Sequence, residues 1–175
     1  MIRVVADASS LILLEKIVLL DVLLQHQIKV MIPLEVEKEA VEKGKMQGYP
    51  GALKLEEKIK EGTITVKKVS EESQVKNLRA IFKLEVEEAE AIALLQQEKA
   101  DLLATDDKFA MKACHALNVP TSGSVAFVIS SFEKGLIKKE QSVQMMETLA
   151  REGRYKDDII FEALRTILGG NHEKR

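Results

Sequence analysis

The chain opens on Ile2-Arg3-Val4-Val5-Ala6, a short apolar and β-branched run that stops at Asp7 and gives way to Ala8, Ser9, Ser10 and a leucine-rich stretch from Leu11. A run of this kind, without strict polar alternation, is expected of a strand covered on both faces, as in a parallel sheet sandwiched by helices. In open α/β sheets ligands lie outside the carboxyl ends of the strands. Asp7 therefore falls where a site belongs, and the rest of the chain is read for other groups that reach the same edge.

The same pattern recurs. Residues 28–32 and 101–105 are aliphatic runs, 63–66 alternates, and Val119 marks a short last strand closed by Pro120. Helical periodicity fills the intervals. One helix, capped by Ser9 or Ser10, runs to about His26. A second starts at Pro33, a favoured first-turn position, with Val36, Ala40 and Val41 apolar and Glu39 beside them. Others cover 52–61, 71–82, 85–99, the stretch after Asp106-Asp107 and 125–132. Two amphipathic helices over 141–152 and 157–168 follow, and 169–175 is expected to fray. Alternating strands and helices predict an α/β fold, a three-layer α/β/α sandwich with a mainly parallel sheet. The division expected is a domain over 1–134 and a helical extension over 135–175 packed on it.

Composition narrows the function. Aromatics are 4% and Trp is absent, so the core must be aliphatic and base-stacking platforms are scarce. A net charge of −2, from 28 acids and 26 bases, does not announce a nucleic-acid binder, although local basic patches matter more than the sum. The single cysteine, Cys114, excludes an intramolecular disulfide and sits at helical spacing between Ala110 and Leu117, as a small core thiol would. His26, His115 and His172 lack metal-ligand spacing, and no Gly-rich phosphate loop is present. No secretory leader opens the chain and no apolar run approaches the ~20 residues of a membrane span, which places the protein in the cytoplasm, away from membranes.

The acids carry the functional reading. Singly, each has a bland role: Asp7, Asp106 and Asp107 as helix caps, Glu87 and Glu88 as first-turn anions, Glu39 as one of several solvated charges. Together they converge. Asp7 ends one strand and Asp106-Asp107 another. The helix starting near Glu85 runs directly into that second strand, so its N-terminus lies at the acid edge and Glu88 faces the cleft. Glu39 joins through the helix after the second strand. Carboxylates packed so closely repel one another and need a cation. Oxygen ligands select Mg²⁺ or Mn²⁺, and such a site suits attack of activated water on a phosphodiester.

The order Asp7-Ala8-Ser9, Val36-Glu37-Lys38-Glu39, Glu88-Ala89-Glu90-Ala91 and Thr105-Asp106-Asp107 resembles the PIN domain, a family of metal-dependent ribonucleases that includes toxins of toxin–antitoxin pairs. The resemblance spans about residues 2–132, and the tail is similar to a subgroup of uncharacterised prokaryotic PIN-like proteins. It implies Asp7 as central metal ligand, Glu39 and Glu88 completing the acidic site, and a last ligand from Asp106 or Asp107. Ser9 would orient Asp7 or a metal-bound water, and Thr105 would support the turn. Glu88 stands where the toxin pattern has Asp. The function implied is a Mg²⁺- or Mn²⁺-dependent endoribonuclease acting on RNA, with an antitoxin protein as partner if it is a toxin. The alternatives are a PIN-like binding module with little catalysis, and an aspartate-nucleophile phosphohydrolase, against which Ser9 in place of a second Asp counts. The apolar first helix and tail helices further predict a homodimer.

Overall fold

A computed structural model describes residues 1–169. Five parallel strands form one sheet in the order β3-β2-β1-β4-β5. They are β1 (Ile2–Ala6), β2 (Ile28–Pro33), β3 (Ile64–Lys67), β4 (Leu102–Ala104) and β5 (Thr121–Ser122). Helices cover both faces, giving the three-layer α/β/α sandwich. The chain winds outward through β2 and β3, then crosses back past β1 to β4. The crevice between β1 and β4 is thus the switch point where such sheets bind ligands. The register is level there: Ala6 pairs with Ala104, and the Asp7 amide donates to the Ala104 carbonyl over 3.0 Å. One residue past each strand, Asp7 and Thr105 are neighbours.

Side-chain alternation divides the core. Val4, Ala6, Val30, Ile32 and Ile64 point into one cluster, which also takes α1 (Ala8–Lys16), α2 (Leu19–Gln25), α5 (Gly51–Lys60) and α9 (Ser124–Glu133). Val5, Met31 and Leu103 point into the other, under α6 (Glu72–Phe82), α7 (Val86–Glu98) and α8 (Lys108–Ala116). Cys114 is buried in that second cluster, and burial pushes its thiol up to about 11, as befits a core residue. Between β2 and α5, α3 (Leu34–Glu37) widens into a π-helical stretch (Lys38–Lys43) before α4 (Gly44–Met46). The wide turn buries Ala40 and Val41 and carries Glu39. The last helices, α10 (Lys139–Glu152) and α11 (Asp157–Gly169), lay Met146, Leu149, Ala163 and Ile167 into the first cluster beside α9.

The structure amends several sequence expectations. The sheet is wholly parallel. The single helix expected from Ser10 to His26 is two, because Val18 turns left-handed with φ 60°. Most of its apolar surface, Leu11, Leu14, Leu19, Leu20 and Leu23, is buried within this chain instead of being left for a partner. The last strand follows Pro120: that residue supplies only the carbonyl that accepts from the Leu103 amide at 2.9 Å, and pairing continues at Thr121 and Ser122. Proline has no N–H for the ladder, so it precedes the strand. Likewise Pro33 ends β2 and flanks the helix that starts at Leu34. The fraying expected for 169–175 and the placing of His172 fall, beyond Gly169, outside the described residues. Among the described residues no helix is long and apolar enough to cross a membrane.

Candidate active site

Asp7 is the hub. It caps α1: its Oδ1 accepts from the Ser10 amide at 2.9 Å and from the Ser9 hydroxyl at 2.7 Å. Asp7, not Ser9 or Ser10, is therefore the cap. The serines serve it, as their place second and third in the first turn allows. Asp7 is 1% exposed, and its Oδ2 meets no donor at hydrogen-bonding geometry. Burial pushes the carboxyl up to about 6. That value already includes the opposing pull of the Ser10 amide and of the Thr105 and Ser9 hydroxyls, and the added push of the Asp106 charge. Desolvation outweighs the local donors, so the ionised form is incompletely compensated within the chain.

Asp106 and Asp107 are adjacent in sequence but do different work. The Asp106 amide donates to Ser9 Oγ at 3.1 Å, which ties the ends of β1 and β4 through one hydroxyl. The Asp106 carboxylate is well supplied with donors. Oδ1 accepts from the Ser124 amide at 2.8 Å and from the Tyr155 hydroxyl; Oδ2 accepts from Ser124 Oγ at 2.6 Å. Gly123 allows this approach, since a Cβ there would lie 2.8 Å from Asp106 Oδ1. Burial still raises the Asp106 carboxyl despite Ser124. Asp107 caps α8: its Oδ1 accepts from Phe109 and Ala110 amides at 2.7 and 3.0 Å, while its own amide donates to Thr105 Oγ1 at 3.2 Å.

Glu88 arrives from α7, whose N-terminus carries a reciprocal capping box: the Glu85 side chain accepts from the Glu88 backbone, and Glu88 Oε2 accepts from the Glu85 amide at 2.9 Å. Partial burial, together with the charges of Asp107, Asp7 and Glu87, pushes Glu88 up to about 7, against the Glu85 hydrogen bond. Glu88 is thus electrostatically coupled to both strand ends. Glu39 enters differently. It lines a cleft of about 370 Å³ with Ser9, Glu87, Asp106 and Asp107, and its carboxylate is paired with Lys43 one helical turn away. Asp7, bonded to the lining residue Ser9, and Glu88 are not part of that wall. Glu90 points elsewhere, accepting from the Glu35 amide at 3.3 Å.

The structure therefore gathers Asp7, Ser9, Thr105 and Asp106 at the ends of β1 and β4, ties Asp107 to Thr105 by a hydrogen bond, sets Glu88 within reach of the charges of Asp7 and Asp107, and brings Glu39 to the cleft with a lysine attached. Four neighbours were not singled out from the sequence as site residues: Glu87, Ser124, Arg154 and Tyr155. Tyr155 and Arg154 come from the connection between α10 and α11, far along the chain, and nothing in local spacing reveals their return to the β4 end.

All donors here are oxygens, the choice of a hard cation. Among the described residues no three acids stand together as a ready cation cage. Mg²⁺ keeps several waters and takes only one or two carboxylates directly, so the orphaned Asp7 Oδ2, with an unengaged oxygen of Glu88 or Asp107 at most, fits it in chemistry. Comparison with curated proteins and with solved structures returned no match. A family model described as PIN domain matches residues 3–168. With the match covering nearly the whole length, and a switch-point acid cluster at the centre of the fold, the chain belongs to the PIN domain family.

Proposed function

We propose that this protein is a Mg²⁺- or Mn²⁺-dependent endoribonuclease. PIN membership gives it a nuclease-type fold, in a family that typically uses divalent metals. The observation that carries the reading is Asp7 Oδ2: a buried carboxylate oxygen without a donor, at the sheet's switch point, among other acids. Asp7 would hold the ion through Oδ2, with Glu88, Asp107 and Glu39 completing the site mainly through water. The ion, when bound, supplies Lewis acidity and a water acidic enough to attack a phosphodiester near neutral pH.

The chain's own residues do the positioning. Ser9 fixes Asp7 and the Asp106 backbone at once. Ser124 and Tyr155 hold the Asp106 carboxylate in one orientation, facing the cleft where the RNA backbone would lie. Thr105 holds the turn that presents Asp107. The test is cleavage of single-stranded and hairpin RNA by purified protein with Mn²⁺, with Mg²⁺ and with EDTA, beside Asp7→Asn. Metal-dependent cleavage lost in the variant supports the reading, and no cleavage with either metal sinks it.

A binding module on the same fold is the second reading. What favours it is that Asp106, Asp107 and Glu88 each commit oxygens to internal bonds; RNA binding without cleavage under any metal would select it. A toxin role, with an antitoxin protein as partner, is proposed for a cytoplasmic protein, and expression should arrest growth of a bacterial host unless Asp7 is changed. Exposed Ile159, Phe161 and Leu168 on α11 support the homodimer proposed from the tail; a concentration-independent monomer mass would remove it.

A further inference from the structure

The connection between α10 and α11, residues 153–156, does more than join two helices. It lines one wall of the acidic cleft, and it is anchored on either side of Arg154. Glu152, just before it, pairs with Lys16 of α1 at 2.7 Å. The Gly153 amide donates to the Leu149 carbonyl at 2.9 Å. A Cβ at Gly153 would come within 2.6 Å of the Tyr155 ring and 2.7 Å of the Leu149 carbonyl, so glycine is what lets the ring fold back. Tyr155 then reaches 49 residues back in sequence to donate its hydroxyl to Asp106 Oδ1, while its ring packs against the core.

This strap leaves Arg154 on the cleft wall. Arg154 is exposed, is the one base among the described residues lining the cleft, and makes no hydrogen bond or ion pair there. Its fellow lining residues include Glu39, Glu87, Asp106, Asp107 and Glu152. An acidic cleft repels a polyanion, and a guanidinium with all its donors open is the group that binds phosphate by paired hydrogen bonds. Its spare donors are not consumed by the neighbouring carboxylates.

We propose that the strap completes the site: Arg154 is the residue that binds a backbone phosphate of the RNA, and Tyr155 is a positioning residue that orients Asp106. The proposal rests on the ribonuclease reading and adds the α10–α11 connection to it. The test measures binding of a fluorescein-labelled single-stranded RNA by anisotropy in EDTA, across a salt series, and steady-state cleavage in Mn²⁺.

Arg154→Ala should weaken binding and raise KM by about tenfold, with kcat changed far less. It should also reduce the slope of log K against log salt by about 0.7, the value of one lost phosphate contact on a single strand. Arg154→Lys should restore part of the affinity and the whole slope. Tyr155→Phe keeps the ring and its packing, so RNA affinity and thermal midpoint should hold while kcat falls about tenfold. Lys156→Ala, exposed and off the cleft wall, is the control for general charge and should change neither.

If Arg154→Ala leaves affinity and slope unchanged while the wild type binds and cleaves, the strap proposal alone is overturned. The same holds if Lys156→Ala weakens binding as much, or if Tyr155→Phe lowers stability without separating kcat from KM. A wild type that neither binds nor cleaves RNA overturns the proposal together with the reading beneath it.

Discussion

Helix α1 carries two buried carboxylates, and the chain treats them in opposite ways. Glu15, near its last turn, is 3% exposed; Asp7, at its cap, is 1% exposed. Two lysines of α5 come to Glu15, Lys58 at 3.3 Å from Oε2 and Lys54 at 3.8 Å from Oε1, and Lys58 is shared with Asp21 at 3.0 Å. Burial still raises the Glu15 carboxyl, with Lys58 opposing it. Asp7 receives no cation from the chain at all. Its neighbours are hydroxyls, an amide and another acid. A buried charge persists only when it is paired or hydrogen-bonded. Lysines come within ion-pair distance of Glu15, although its Oε2 makes no hydrogen bond, whereas no cation of the chain comes to Asp7; that is the difference between the two acids.

The largest effect expected from this contrast is on activity. Asp7→Asn should lower cleavage on the order of a thousandfold, which is about 4 kcal/mol of transition-state stabilisation. Its stability in EDTA at pH 8 should rise, because the substitution removes a buried charge that has no counter-ion. Glu15→Gln should spare cleavage and raise stability by less, because Lys58 opposes the cost of burial at Glu15. Parallel turnover and melting measurements on the two variants decide it. If both lose activity equally, the two acids are not different in kind.

Next in size is Lys58→Ala. The Lys58 side chain is 12% exposed, so its loss strands Glu15 with only the more exposed Lys54. Removing one partner of a buried pair costs roughly 3 kcal/mol at the lower end of the usual range. Urea denaturation should show that loss, while calorimetric titration with Mn²⁺ should show unchanged affinity at the distant acid site.

The pH dependence of stability follows from the same asymmetry, and its sign runs against ordinary acid denaturation. Asp7 is raised from 3.8 to about 6. Below pH 4 it is protonated folded and unfolded alike. Between about 4 and 6 the native state retains a proton that the unfolded state releases, so stability falls as pH rises. Above 6 the full penalty is in place, of order 2–3 kcal/mol for a group this deeply buried. Glu88, raised to about 7 but half in solvent, extends the same trend toward neutral pH. Unfolding in EDTA at pH 4.5, 6 and 8 should show wild-type stability declining relative to Asp7→Asn, and Mn²⁺ should erase the decline at pH 8. A difference that stays flat across that range would mean Asp7 is already compensated.

The contrast also marks how far the sequence reaches. Buried aliphatic runs disclose β1, β2 and β4, because their hydrophobic pattern is local. Where strands end is local too, so Asp7, Asp106 and Asp107 are legible as edge acids. Glu88 follows from topology, since a helix leading straight into β4 must begin at the far edge. The division of labour between Asp106 and Asp107 is not legible: it depends on Ser124 and Tyr155, which reach Asp106 from 18 and 49 residues away. Glu39 is legible as a helix-border acid, and Lys43 four residues on is its natural helical partner. Val18 breaks the first helix at a position that nothing in its leucine-rich pattern marks, because the break is set by how α1 and α2 pack on the sheet. Lys54 and Lys58, which distinguish Glu15 from Asp7, read locally as solvated charges on an amphipathic helix.

The smallest effect tests the comparison most finely. Ser9 is for Asp7 what Lys58 is for Glu15, but it offers a dipole in place of a charge. Its hydroxyl donates to Asp7 Oδ1 at 2.7 Å and accepts the Asp106 amide at 3.1 Å. Ser9→Ala removes both bonds and leaves a partly buried N–H without an acceptor. The expected cost is about 1 kcal/mol, the net worth of such bonds, and a third of what Lys58→Ala costs. Asp7, having lost a donor, should titrate higher, so the acid limb of the cleavage–pH profile should move toward neutral. Ser9→Thr keeps the hydroxyl and should recover both readouts. A loss of stability as large as that of Lys58→Ala would show that Asp7, too, is satisfied from within the chain, and the ground for expecting an ion there would go with it.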